Sequence, residues 1–363
     1  MDKKGSVTVV DLFCGIGGLT NGLIKEGLNV VAGYDIDETC KYPYETNNDS
    51  TFYCADVATI KGEEIRKHYK KGDLKVLVGC APCQPFSTYS FKSNDKKKWR
   101  LLYEFSRLIS EVKPDIVSME NVPRLAKFTK EPVFLNFIKN LEQNGYYCFY
   151  KVVNCSSFGI PQHRKRLVLL ASKLGDISLI SETHKKGAYR TVKDAIAHLE
   201  PLKSGACSKT DSLHKASKLS ELNLKRIKQS KPGGTWKDWD EELLLDCHKK
   251  ESGKTYVSVY GRMRWDEPSP TITTHCTGIG NGRFGHPEQD RAITLREAAI
   301  LQSFSDSYQF VNKGQAYNKR TMSIHIGNAV PVKLGQVIGK SIKEHLDKYY
   351  TTENNGRTRR TIS

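Results

Sequence analysis

Branched and aliphatic residues come in short runs through the first half of the chain, separated by amphipathic stretches. Residues 7–13 (Val-Thr-Val-Val-Asp-Leu-Phe) read as a buried strand. They are stopped by the glycine turn Cys14-Gly-Ile-Gly-Gly18 and followed by Leu19, Leu23 and Ile24 at helical spacing. Residues 30–34 form a second run ending in Asp35, residues 53–57 a third that contains Asp56, and residues 74–81 a fourth closed by Pro82. A helix is predicted over 101–112, a strand over 114–119 running into Glu120-Asn-Val122, a helix over 134–141, and strands over 146–153 and 167–171. This alternation predicts an α/β fold, a doubly wound Rossmann-like sheet. It stops near residue 184 and gives way to lysine-rich pieces and glycine-hinged loops, and a helix is predicted again over 334–349. The expected organisation is a catalytic domain over 1–183, a smaller irregular domain over 184–318, a segment over 319–350 that returns to the first domain, and a disordered polar tail over 351–363.

Charge narrows the partners. The net charge of +17 points to a polyanion, most simply nucleic acid, with a solvated lysine-rich surface as the bland alternative. No apolar run is long enough to span a bilayer, and the first residues lead directly into a strand pattern rather than a secretory signal, so a cytoplasmic protein without a membrane partner is expected. Ten cysteines are too few over 363 residues for a disulfide scaffold. Cys80 and Cys83 match C-x-x-C, but no second such pair exists, so no metal is expected.

Three places carry candidate chemistry. The glycine turn lets a ligand approach the backbone, Asp35 suits a ribose diol, and Asp56 could hold an adenine amino group. That set fits a nicotinamide, flavin or S-adenosylmethionine (AdoMet) enzyme, and the absence of lysine excludes a P-loop. Cys83 sits just past the fourth strand in a proline-stiffened loop, where open α/β sheets place their chemistry, with a mobile-looking polar stretch after it. Glu120, ending another strand, belongs to the same sheet edge and is a candidate acid. Gln162, Arg164 and Arg166 lead into a core strand, and period-two alternation would turn them to one face.

In their order along the chain, these blocks resemble the DNA (cytosine-5) methyltransferase family, of the compact prokaryotic kind. The matching stretches are Asp11-Leu-Phe-Cys-Gly-Ile-Gly-Gly18, Pro82-Cys-Gln84, Glu120-Asn-Val122, Gln162-x-Arg-x-Arg166, Arg296-Glu-Ala-Ala-Ile-Leu-Gln302 and Gly327-Asn-Ala-Val330. Ser305, where a proline is common, is a small departure. The resemblance implies an AdoMet-dependent fold in which Cys83 attacks carbon 6 of a flipped-out cytosine. Glu120, protonated or sharing a proton, then offsets charge at ring nitrogen 3. It implies that Arg164 contacts the base oxygen while Arg166 and Gln162 order the cluster. It implies AdoMet contacts from Phe13, Gly15, Gly17, Asp35, Ile36, Asp56, Val57, Pro82, Leu101, Asn328 and Val330, with S-adenosylhomocysteine as product.

The middle stretch then corresponds to the family's target-recognition domain. Arg262, Arg264, Thr273 and Arg283 are its candidate DNA contacts, together with Gln84 and Ser87 in the loop after Cys83. Trp236, Trp239 and Trp265 read better as core than as base-stacking residues. The expected partner is double-stranded DNA, with a companion restriction endonuclease in the cell, and the expected state is a monomer. The rival readings are a transfer-RNA methylating relative, a catalytically idle DNA-binding relative and an NAD-linked oxidoreductase. The first carries Cys-Phe-Thr where this chain has His275-Cys276-Thr277.

Overall fold

The computed structural model describes residues 6–82, 100–127 and 132–360, with the backbone alone at 252, 254 and 352–360. Its residues divide into two compact units. The first holds residues 1–154, 165–182 and 332–363, and the second holds 155–164 and 183–331.

The first unit is built on a seven-stranded sheet in the order β3-β2-β1-β4-β5-β7-β6. Its strands are β1 (Val7–Leu12), β2 (Asn29–Asp35), β3 (Thr51–Cys54), β4 (Leu74–Gly79), β5 (Ile116–Asn121), β6 (Tyr147–Asn154) and β7 (Lys165–Ser172). The first five are parallel, whereas β7 pairs antiparallel with both β5 and β6. Helices α1 (Gly18–Lys25), α2 (Lys41–Asn47), α3 (Gly62–Arg66), α4 (Arg100–Val112), α5 (Arg124–Lys127) and α6 (Val133–Gln143) fill the connections. Residues 7–12 and 116–121 are almost wholly buried, as expected of strands covered on both faces. One core runs from Val10 and Leu12 through Phe105 on α4 and Phe137 on α6 to Leu167 and Leu169 on β7.

The second unit carries α7 (Val192–Ile196), α8 (Glu221–Gln229), α9 (Asp246–Lys249), α10 (Leu295–Leu301) and α11 (Lys319–Asn328) among long irregular segments. Trp236, Trp239 and Leu243 make one of its small cores, with His248 stacked 4.2 Å from Trp236. One of its ion pairs is fully buried: Arg291 meets both oxygens of Glu297, at 2.8 and 2.7 Å. Arg296, on the same helix as Glu297, pairs with Asp211.

The last helix, α12 (Val332–Arg360), packs on α1. A Cβ added at Gly335 would lie 2.8 Å from the Leu19 carbonyl oxygen, so glycine is what allows the two helices to approach.

Three boundaries differ from the sequence reading. The C-terminal return to the first unit begins at residue 332, not 319, because α11 stays with the second unit. Residues 155–164 also belong to that unit, leaving the sheet after Asn154 and re-entering it at Lys165. The expected tail is helical through Arg360, as a continuation of α12.

Candidate active site and nucleic-acid interface

Parallel strands end on one edge of a sheet, so β1, β2, β4 and β5 bring the glycine turn, Asp35, Cys80 to Pro82, and Glu120 to that edge. The antiparallel strand β7 begins there. The register pairs Asn121 with Leu167 and Glu120 with Val168, which puts Arg166 diagonally beside Glu120.

Glu120 is only 3% exposed. Its Oε1 lies 2.8 Å from Arg166 Nε, an ion pair whose angle is not that of an aligned hydrogen bond. Its Oε2 accepts from the Cys80 thiol at 2.9 Å. Beside it, the Asn121 side-chain amide donates to the Ala81 carbonyl at 3.1 Å and so ties β5 to the segment that leads into residue 83. Cys83, Gln84 and Ser87 lie outside the described residues.

Along the same edge, Phe13 has φ of 59° and packs edge-on against Phe105. A bulky residue in the left-handed region is rare, and it holds the start of the glycine turn in place. Gly17, with φ of 81°, caps α1. The Gly15 amide donates to Asp35 Oδ2 at 2.9 Å, and Asp35 Oδ1 accepts from Asp37 N at 3.0 Å. A carboxylate has about four acceptor positions, so Asp35 keeps capacity for two further donors such as a vicinal diol. Ile36, immediately after it, is 68% exposed, an apolar surface beside a polar anchor. A Cβ at Gly15 would meet nothing within 4 Å. Asp56 Oδ1 accepts from Ala58 N at 2.9 Å, Val57 is buried, Leu101 is half-buried on α4 and Pro82 is exposed. Open space over a glycine turn, a carboxylate with spare acceptors and an exposed aliphatic face fit an adenosine-containing group. Under this edge, Asp11 accepts from the Thr20 hydroxyl at 2.7 Å; burial pushes its carboxyl up to about 7, and the charge of Asp35 adds to the effect.

The two arginines leading into β7 do not share a face. Arg166 alone meets Glu120. Arg164 lies before the strand, in the second unit, and is 2% exposed. Its Nη1 donates to the Ile272 carbonyl at 3.0 Å and its Nη2 to the carbonyls of Gly327 and Ala329 at 3.2 and 3.4 Å. The strand starts at Lys165, so period-two alternation does not reach back to it. Gln162 is also fully buried there, donating to the Leu301 carbonyl and to Gln302 while accepting from Ile272 N at 2.8 Å. In the same unit, Asn328 is exposed at the end of α11 and Val330 is buried.

Of the expected DNA contacts, Arg262 is corrected. It is 5% exposed, and its guanidinium is taken up by the carbonyls of Ile227, Ser230, His286 and Gln289 and by Asp290. It ties the end of α8 to the 286–290 loop and has no donor left for a base. Arg283 is half-buried on the Gly234 carbonyl, and burial lowers its pKa. Arg264 is exposed near Asp266 and Glu267, and Thr273 is exposed. One cationic cavity escaped the sequence reading. About 320 Å³ in volume, it is lined by Ser217, Thr274, Asn281, Lys319 and Arg320 among others, with no carboxylate in its wall. Lys319 and Arg320 are adjacent in a polar stretch with no motif; the fold rather than the spacing brings them to the 274–281 loop.

The C-5 cytosine-specific DNA methylase family model matches residues 7–344. The chain belongs to that family. It is 58% identical over 339 residues to the Type II methylase M.HgiDII of Herpetosiphon aurantiacus, covering 93% of this chain and 96% of that one. It is 31% identical to the Type II methyltransferase M1.HphI of Haemophilus parahaemolyticus, over 93% of this chain and 87% of that one. Among solved structures, this methylase is similar to a protein from an E. coli prophage assigned as a DNA modification methyltransferase. There the TM-score is 0.73 at 22% identity, over 94% of this chain and all of the other, a likeness of fold. The methylase is therefore a DNA cytosine-5 methyltransferase with the fold of AdoMet-dependent enzymes, as the order of its sequence blocks implied. No helix among its described residues is long and apolar enough to cross a membrane.

Proposed function

We propose that this methylase is the modification enzyme of a Type II system, methylating one cytosine within a specific duplex sequence through a covalent bond between Cys83 and carbon 6 of the base. The observation that carries the reading is the buried Glu120 carboxylate, held between Arg166 and Cys80 on the sheet edge that also bears the glycine turn.

The chemistry assigns work to each group. Carbon 5 of cytosine is a weak nucleophile. Addition of the Cys83 thiolate to carbon 6 pushes the ring electrons toward carbon 5 and nitrogen 3. Glu120 supplies or shares a proton at nitrogen 3, so the negative charge does not accumulate there. Arg166 fixes the carboxylate and brings the nearest positive charge, which makes it the better candidate for the base oxygen than Arg164. AdoMet, when bound, supplies an electrophilic methyl group on a sulfonium. Gly15, Asp35, Ile36 and Asp56 are the residues that would hold it, with Phe13 and Gly17 shaping the turn. After methylation, the carbon 5 proton leaves and the thiolate is expelled.

The base must be taken out of the stack for a thiol to reach it, and methyltransferases are among the enzymes for which base extrusion is established. The second unit is the DNA-reading half of this scheme. Arg264 and Thr273 remain its exposed candidates for the grooves. Lys319 and Arg320 suit a phosphate, because their cavity offers two cations and several hydroxyls with no competing acid.

The test is transfer of labelled methyl from AdoMet to duplex DNA, with transfer RNA as the parallel substrate and the product base identified. 5-Methylcytosine in DNA, lost in Cys83→Ala, is the expected result. Preferential labelling of transfer RNA, or an unimpaired Cys83→Ala enzyme, would overturn the reading.

A further inference from the structure

Cys80 reads in the sequence as half of a C-x-x-C pair, and neither a metal nor the nucleophile's task gives it a role. Its place in the fold does. Gly79 pairs with Met119, so Cys80, the first residue past β4, comes beside Glu120, which is still in β5. The Cys80 amide donates to the Leu12 carbonyl at 3.3 Å, and the following carbonyl, on Ala81, accepts from Asn121. The backbone is thereby pinned on both sides of the thiol, whose sulfur lies 2.9 Å from Glu120 Oε2.

We propose that Cys80 is a positioning residue for the catalytic carboxylate: its S–H holds Oε2 while Arg166 holds Oε1. The proposal rests on the reading of Glu120 as the group that acts on the base. An ionised carboxylate only accepts hydrogen bonds, so a thiol at this distance must be the donor. A thiol is a weak donor, but a charged acceptor buried at 3% exposure strengthens the bond. Each carboxylate oxygen has two acceptor positions. One clamp on each leaves the second free for the base, to accept from its exocyclic amine or to carry the proton shared with ring nitrogen 3.

Among the described residues, the charged or titratable groups at Glu120 are Arg166 from β7 and the Cys80 thiol from the end of β4. Each holds one carboxylate oxygen, so deleting the thiol leaves Glu120 freer to rotate.

Single-turnover methylation of saturating duplex DNA separates positioning from a merely structural role, using full-length Cys80→Ala and Cys80→Ser. Cys80→Ala is expected to slow transfer about ten-fold. The KM for AdoMet should stay unchanged. Cys80→Ser keeps a donor and should restore the rate. In a Glu120→Gln background, Cys80→Ala should add little, because the group it positions is gone. An undiminished rate in Cys80→Ala, failure of serine to rescue, or a full Cys80→Ala effect in the Glu120→Gln background would overturn the proposal. A Glu120→Gln enzyme as fast as the parent would instead overturn the role of Glu120 itself, and the two failures are distinguishable.

Discussion

Arg166 Nε lies 2.8 Å from Glu120 Oε1 across two antiparallel strands, and Arg164, two residues earlier in the chain, turns to carbonyl oxygens instead. The pair exists because β7 reverses direction at the edge where the parallel strands end. Replacing Arg166 tests what the guanidinium does. Arg166→Met is expected to reduce the methylation rate by at least about a hundred-fold, as for loss of one preorganised donor at a developing charge. Arg166→Lys should recover part of the rate, because it keeps the charge and loses the fixed fork. Single-turnover kinetics at saturating DNA and AdoMet measure both.

Arg164 predicts the opposite phenotype. Its buried guanidinium donates to the carbonyls of Ile272, Gly327 and Ala329, so Arg164→Met removes a donor from each and leaves only the long Gln302 contacts on the last two. Loss of about 3 kcal/mol or more of stability is expected, a defect seen first in denaturant unfolding. A folded Arg164→Met enzyme should methylate far better than Arg166→Met.

These two residues show what the sequence made legible. The strand-helix alternation gave the sheet and its parallel edge, and it placed the glycine turn and Asp35 at one edge; the bond from Gly15 N to Asp35 Oδ2 that joins them was not legible in the spacing. The resemblance pointed correctly to the family. The division of tasks between Arg164 and Arg166 was not legible, because it depends on where β7 begins: at Lys165, with Arg164 still outside the sheet. Arg262 was misread for a related reason. Its acceptors come from Ile227, Ser230, His286 and Gln289, remote in sequence, so nothing in its neighbours showed that it would be buried. Cys80 was visible only as a spacing; its closeness to Glu120 follows from register.

The second unit should lose stability in acid. His286 is buried beside Trp265, and its Nδ1 accepts from the Glu288 and Gln289 amides, a role open only to the neutral ring. Burial pushes its pKa down to about 4, with Glu297 opposing the shift. A folded pKa below the unfolded one means stability that is complete above about 6.5 and lost as pH falls through 4, to an extent of about 3 kcal/mol. Melting temperatures at pH 7 and pH 4.5 measure the loss, and His286→Gln should make the dependence shallower.

DNA binding should be steeply salt-dependent, and the cavity at Lys319 and Arg320 should carry part of that slope. Arg320 is exposed, so Arg320→Ala should fold normally. The slope of log Kd against log salt is expected to fall by about one in that variant, with weakening alike on cognate and unrelated DNA.

The covalent step is the claim on which the rest depends. Duplex DNA in which the target cytosine carries fluorine at carbon 5 cannot lose a proton there, so the adduct formed after methyl transfer persists. Incubation with AdoMet, digestion and mass spectrometry then locate the attached base. The account predicts a denaturation-resistant complex whose modified peptide carries the base on Cys83 and which Cys83→Ala does not form. An adduct on Cys80 or any other cysteine, or methylated DNA with no adduct in the parent enzyme, would contradict it.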